Sequence, residues 1–226
     1  MSQMAINDDS FRTELRNTKV LEGPFPDLDF DKFPEIPHDA FKLWFHEAVA
    51  AGVREPHAMT LSTVDDQGHP DARVLILKNV DARGWHFAVK SDSPKGKQLA
   101  GNGHAALTFY WPQLARQIRL KGKAIELPEA ESALDYQARP IESRISAVAS
   151  DQSEVLFDRD TLIQNLAKTK LKMSKDAMSG VEKWRVYTVA PDTVEFWQGE
   201  ASRLHNRLQY TYNEGEDKWQ KNLLWP

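Results

Sequence analysis

The chain has 226 residues with 29 Lys and Arg against 33 Asp and Glu, giving a net charge of −4. That length can bury a core without staples, and that balance speaks against a nucleic acid or an anionic membrane as partner. Cysteine is absent, which excludes disulfides, thiolate nucleophiles and cysteine-ligated metals. No apolar run approaches the roughly 20 residues needed to span a bilayer. The opening MSQMAINDDSF has no basic-then-apolar signal pattern, so the cytoplasm is the expected location.

Residues 1–36 are acidic and proline-punctuated and are expected to form an arm, with 37–226 as the folded domain. Asp39 is expected to cap an amphipathic helix over about 40–51, ended by Gly52. The pattern then changes to strands: 57–65 and 72–80 around Asp66-Gln67-Gly68 read as a hairpin, and 85–90 as a third strand. Ser93-Pro94 opens a short helix, with serine at the cap and proline in the first turn. Strands over 104–111 and 115–127 follow. A helix over about 129–138 ends at Arg139-Pro140, and another is expected over about 158–170. Residues 171–183 read as a loop, and 184–190, 192–199, 203–212 and 218–225 as closing strands. Consecutive antiparallel strands with inserted helices give an α+β fold built on a small barrel.

Several segments carry chemistry. In an extended strand Arg203, His205 and Arg207 share one face, and at roughly 3.3 Å per residue they form a comb suited to an extended anion. A charged edge strand is the plainer alternative, and Trp197 just upstream adds an aromatic face. Arg73-Val-Leu-Ile-Leu-Lys78 is apolar on both faces and cationic at both ends, which asks for anions there or for side chains that snorkel to water. Lys95 lies at a helix N-terminus, where free N–H groups favour a phosphate, although a plain capped helix has the same sequence. Gln117 stands out in the row Gln117, Arg119, Lys121, Lys123 as a neutral amide able to pair with a heterocycle. The seven histidines lack metal-ligand spacing, so no metal is expected, and neither GxSxG nor GxGxxG occurs. A bound phosphorylated cofactor that carries the chemistry is the economical reading.

Taken in order, RVLILK, SxKG, YWPxxxRQIRxxGK, the RP…S segment, QS, EFWQG and RLHxR resemble the pyridoxamine 5'-phosphate oxidase family from about residue 40 to the end. The resemblance implies a split β-barrel homodimer with two FMN molecules at the subunit interface. Arg73 and Lys78 would flank the FMN-lining strand Val74, Leu75, Ile76 and Leu77. Lys95 would hold the FMN phosphate, and Gln117, Gln152, Ser153, Trp197 and Arg207 the rest of the cofactor. Lys78, Arg139 and Ser143 would bind the substrate phosphate, with Arg203 and His205 over the pyridine ring as the catalytic pair. Such enzymes pass a hydride to the flavin as pyridoxine or pyridoxamine 5'-phosphate becomes pyridoxal 5'-phosphate, and oxygen is the final acceptor.

Three departures stand out. Pro94 occupies an arginine position, Asp135 a phosphate-binding tyrosine position with Tyr136 turned about 100° away, and Asn222-Leu-Leu-Trp-Pro226 replaces an arginine-containing end. Asp135 is therefore expected to repel the substrate phosphate. GPFP and GVREP are similar to phenazine-pathway oxidases. A phenazine-type oxidase of a reduced aromatic carboxylate, and a non-catalytic protein binding FMN or pyridoxal phosphate, are the alternatives.

Overall fold

In the computed structural model residues 9–226 are described, so the first eight residues of the expected arm lie outside it. A solvent-facing helix α1 (Asp9–Asn17) precedes an extended segment that straps the later strands. The Pro26 carbonyl accepts from Gln198 Nε2 at 2.7 Å, and the Pro34 carbonyl accepts from the Tyr210 hydroxyl at 2.7 Å. Helix α2 (Pro37–Ala50) begins earlier than expected. Ile36 is its N-cap and Pro37 its first residue, so Asp39 lies in the first turn, where its charge suits the dipole, rather than at the cap.

Nine antiparallel strands follow: β1 (Ala58–Val64), β2 (Pro70–Ile76), β3 (Asn79–Asp81), β4 (Gly84–Lys90), β5 (His104–Trp111), β6 (Arg116–Glu126), β7 (Trp184–Gln198), β8 (Asn206–Asn213) and β9 (Lys218–Leu223). Their order is β2-β1-β5-β6-β7-β4-β3, with β8 and β9 branching from β7. Helix α3 (Pro94–Gly101) joins β4 to β5, and α4 (Glu129–Ala138), α5 (Ile141–Ala149) and α6 (Arg159–Met173) fill the connection from β6 to β7. No described helix is long and apolar enough to cross a membrane.

Strand β7 is the spine. The expected break near residue 191 does not occur, and one strand runs through it. Its first half pairs with β4 and its second half with β8, while β6 follows it along the other edge. The changeover falls at Pro191, which has no N–H to give a ladder, opposite a register shift at Lys121/Gly122. A Cβ on Gly122 would lie 2.0 Å from the Ala190 carbonyl oxygen, so only glycine allows this approach. The sheet can therefore turn and split at one point.

Alternating burial places Met59 and Leu61, Leu107 and Phe109, Ile118 and Leu120, and Val194 and Phe196 on one face. Phe41 and Trp44 of α2 and Phe33 of the strap close over it through edge-on ring contacts. Each fully buried large side chain contributes about 1.5–3 kcal/mol, so α2 and the strap are anchored by their aromatic residues.

Three further expectations give way. Strand β2 is a sheet edge, with Val74 and Ile76 exposed in the single chain, so the RVLILK segment is not buried on both faces. Residues 171–183 are not an open loop: α6 runs to Met173, Met173 and Ser179 are buried, and a 3-10 turn spans Val181–Lys183. The strand expected at 203–212 starts only at Asn206, because Arg203 adopts a left-handed backbone (φ 68°) in a turn closed by its N–H to the Glu200 carbonyl.

Candidate functional site

The expected site residues fall into two groups, set by the two ends of β7. At its start, a cavity of about 470 Å3 is lined by Lys90, Lys95, Arg139, Ser143, Gln152 and Trp184, with Leu75 at its wall. The Ser93 hydroxyl caps α3 by accepting from Gly96 N–H while donating to the Lys90 carbonyl, which fixes the first turn of that helix against the end of β4. A Cβ on Gly96 would sit 2.3 Å from the Lys90 carbonyl oxygen, so this packing requires glycine.

Lys95 emerges from that turn, 7 % exposed, and donates to Gln152 Oε1 at 2.8 Å. Burial holds the Lys95 ammonium below its ordinary pKa, and the nearby Arg73 and Lys90 charges add to the depression. Lys90 is also buried and donates to the Ser150 carbonyl at 2.6 Å. Arg73 is held by Asp71, by Thr63 Oγ1 at 2.6 Å and by the Leu61 carbonyl. A buried lysine resting on a neutral amide, beside two more cations and a helix N-terminus, is the donor set that a phosphate dianion satisfies. The residues present therefore fit the phosphate end of FMN.

A second cluster adjoins this cavity. Trp184 Nε1 donates to Asp135 Oδ2 at 2.8 Å, and Lys78 Nζ lies 3.2 Å from Asp135 Oδ1. The Arg139 guanidinium lies over the Trp184 ring at 3.9 Å and donates through Nη2 to the Ser143 carbonyl at 3.2 Å. Its Nη1 is buried without a partner, and burial pulls Arg139 below its ordinary pKa, partly offset by Asp135. Asp135 is thus paired rather than bare, and the expectation that it simply repels an incoming phosphate has to be revised. Tyr136 does point away: its hydroxyl donates to the Ser179 carbonyl in the interior.

The other group lies at the far end of β7, on the sheet face opposite the core. Cross-strand pairing sets Tyr110, Gln117, Trp197 and Arg207 in one row. His205 packs against Trp197 with ring centroids 4.9 Å apart and planes tilted by 50°, and its Nδ1 accepts from Glu200 N–H at 3.1 Å. In the neutral ring that bond assigns the proton to Nε2. Arg207 donates to Glu195 Oε1 at 2.9 Å and to the Trp225 carbonyl at 2.7 Å. Burial alone would raise the Glu195 pKa, but hydrogen bonds from Arg207 and Arg119 hold it below its ordinary value. Arg203 projects into solvent from the turn, so the three-toothed comb does not form.

Lys95 and Gln152 are therefore in contact, Arg73 is close to them, and Lys78 connects to Arg139 through Asp135 and Trp184. Val74 and Ile76 face outward, Leu77 packs against the core, and Ser153 is exposed with φ 71°. Gln117, Trp197, Arg203, His205 and Arg207 are not with these residues. At roughly 3.3 Å per residue, β7 covers roughly 40 Å between Trp184 and Trp197. Lys90, Ser150 and Trp184 were missed from sequence. Lys90 ends an otherwise buried strand, and that buried-lysine position was the available signal.

A family model described as "Pyridoxamine 5'-phosphate oxidase" matches residues 45–173, and one described as "Pyridoxine 5'-phosphate oxidase C-terminal dimerisation region" matches 184–226. The chain is 45% identical over 195 residues to a pyridoxine/pyridoxamine 5'-phosphate oxidase of Pseudomonas paraeruginosa, covering 85% of this chain and 90% of that one. It is 41% identical over 223 residues to the enzyme of the same name from a Janthinobacterium species, covering 99% and 100%. Among solved structures it is similar to PhzG of Burkholderia lata in complex with tetrahydrophenazine-1-carboxylic acid, with TM-score 0.83, 31% identity and coverage of 90% and 100%. A pyridoxamine 5'-phosphate oxidase-related, FMN-binding protein of Nostoc punctiforme shares the fold at TM-score 0.64 and 16% identity, covering 82% and 97%.

Proposed function

Because this chain belongs to the pyridoxamine 5'-phosphate oxidase family of FMN-dependent oxidoreductases, we propose that it oxidises pyridoxine or pyridoxamine 5'-phosphate to pyridoxal 5'-phosphate, with oxygen as acceptor. The observation that carries this reading is the pair of anion-ready features in one cavity: buried Lys95 on a neutral amide, and Arg139 with an unpartnered buried Nη1. One suits the cofactor phosphate and the other the substrate phosphate. FMN, when bound, supplies the hydride acceptor.

The protein's own work is positioning. Lys95, Arg73 and the first turn of α3 hold the cofactor phosphate. Arg139 and Ser143 fix the substrate's anionic end. Trp197 and His205, packed together, offer an aromatic surface for the rings, with the Nε2 proton of His205 as donor. The two groups sit toward opposite ends of β7, roughly 40 Å apart along the strand, so we assign them to different binding sites within one chain. The proposal therefore includes a two-fold homodimer in which each site takes the phosphate cavity of one subunit and the Gln117–Trp197–Arg207 row of its partner. The match of residues 184–226 to a dimerisation region supports that arrangement. A cytoplasmic location belongs to the same proposal.

The test is the FMN-loaded protein with either vitamer phosphate in air, followed for aldehyde and peroxide in equal amounts. Bound FMN with no aldehyde from either substrate refutes the substrate assignment. A second reading, oxidation of a reduced aromatic carboxylate, is favoured by the similarity to PhzG and by the Lys78–Asp135 pair. Tetrahydrophenazine-1-carboxylic acid is its diagnostic substrate.

A further inference from the structure

Asp135 is a carboxylate set among groups that otherwise serve an anion. Its two oxygens are both engaged, one with the Lys78 ammonium at 3.2 Å and the other with the Trp184 indole N–H at 2.8 Å. It cannot swing aside without losing the indole, and the indole ring is the surface on which Arg139 lies at 3.9 Å. Lys78 is held in its turn, because its backbone N–H donates to the His86 carbonyl at 2.7 Å. Of the two cations around Asp135, Lys78 is therefore neutralised in place beside the cavity, and Arg139, which lines it, keeps a free N–H. Glu142 also lines the cavity, so no second cation is gained from that side.

On the reading that Arg139 and Ser143 receive the substrate's anionic group, we propose that Asp135 is a specificity-determining residue. By occupying Lys78 it leaves the subsite with the charge of one guanidinium, and so narrows the preference for a doubly charged phosphate over a singly charged carboxylate. A phosphate must compete with Asp135 for Lys78, whereas a carboxylate needs only the Arg139 fork. A purely structural carboxylate, there to orient Trp184, predicts no change for an isosteric amide. Asparagine keeps an acceptor for the indole and removes only the charge.

The test uses FMN-loaded protein at pH 8, where a phosphate monoester is doubly charged, and isothermal titration with pyridoxal 5'-phosphate, inorganic phosphate and nicotinate. Asp135→Asn should tighten both phosphates about tenfold, as one added charge-assisted contact does, and change nicotinate less than about threefold. Asp135→Glu, which keeps the charge, should give no gain. Added to Asp135→Asn, Lys78→Met should cancel the phosphate gain, because the freed ammonium is then gone, a dependence that a structural role does not produce. Equal change for phosphate and carboxylate, no change for either, or a phosphate gain that survives Lys78→Met in the double variant overturns the proposal, as does absence of anion binding in every protein. If inorganic phosphate shows the tenfold gain while pyridoxal 5'-phosphate binds to neither protein, the vitamer assignment fails and the role of Asp135 stands.

Discussion

Replacing Lys95 by methionine should move stability and cofactor affinity in opposite directions. In the protein without FMN this ammonium is 7 % exposed, has an amide oxygen as its hydrogen-bond partner, and is disfavoured by burial and by the Arg73 and Lys90 charges. Its folded pKa is therefore below its unfolded value of 10.5. Between those two values the unfolded chain binds more protons than the folded one, so stability rises with pH through that window. Lys95→Met removes a buried charge and leaves the exposed Gln152 amide to water, so the FMN-free variant should melt at the same temperature or higher and lose that alkaline rise. Its FMN affinity should fall, because a hydrogen bond to a charged group contributes about 1.5–3 kcal/mol, or about 10- to 160-fold in Kd. Fluorescence quenching of FMN gives the affinity, and thermal melts of the FMN-free protein from pH 7 to 10 give the stability. A variant that melts well below the parent, or binds FMN as tightly, refutes the assignment of Lys95 to a phosphate.

The two-subunit site makes a mixing prediction. Lys95→Met and Arg207→Ala chains, each poor in FMN binding alone, should regain roughly a quarter of the sites when refolded together, since each mixed two-fold dimer holds one site free of both changes. No recovery means that each site lies within one chain. Light scattering of the FMN-loaded protein should give twice the 25.8 kDa chain mass. Arg139→Ala should raise KM for an anionic substrate about ten- to hundredfold with little change in kcat, because it removes binding common to ground and transition states; an equal loss in kcat counts against that role. Arg116 is fully buried, lies over Trp44 at 4.4 Å, and donates to Gln198 and to Glu47. Arg116→Ala should destabilise by about 3 kcal/mol in urea unfolding, because it empties a buried site over Trp44 and leaves the buried Gln198 amide without its partner, and a loss under about 1 kcal/mol shows that the network is slack.

The local elements were legible because their signals are local. Ser93-Pro94 gave the start of α3, Arg139-Pro140 the end of α4, and the row Gln117, Arg119, Lys121 and Lys123 the outer face of β6. Errors came where tertiary packing decides. Nothing nearby in sequence marks 191 as continuous strand: Pro191 reads as a break, and only β6 running past it on one edge keeps β7 whole. The polar run after residue 170 gave no sign of order, yet Met173 and Ser179 pack inward, and the Ser179 carbonyl accepts from the Tyr136 hydroxyl. Parity predicted a comb at Arg203, His205 and Arg207, but parity holds only inside a strand. The turn closed by Glu200 and Arg203 breaks it three residues before pairing begins at Asn206.

Candidate site residues could be nominated from sequence, but their arrangement in space could not. Motifs in chain order place Lys95, Gln117 and Trp197 in one inventory, and linear order carries no hint that β7 holds their neighbourhoods at opposite ends. Asp135 shows the same limit at the scale of one side chain. A carboxylate near expected phosphate ligands reads as repulsion, and the sign of its effect depends on what it already touches. Its partners lie far away along the chain, at Lys78 and Trp184, and meet it only because α4 packs against the start of β7. Once Lys78 is paired, Asp135 no longer acts as a bare charge facing the ligand. It acts by withholding a cation, which weakens a dianion more than a monoanion and leaves the Arg139 fork intact. Charge deletion at Asp135 should therefore change selectivity between anions, where simple repulsion would have raised affinity for both.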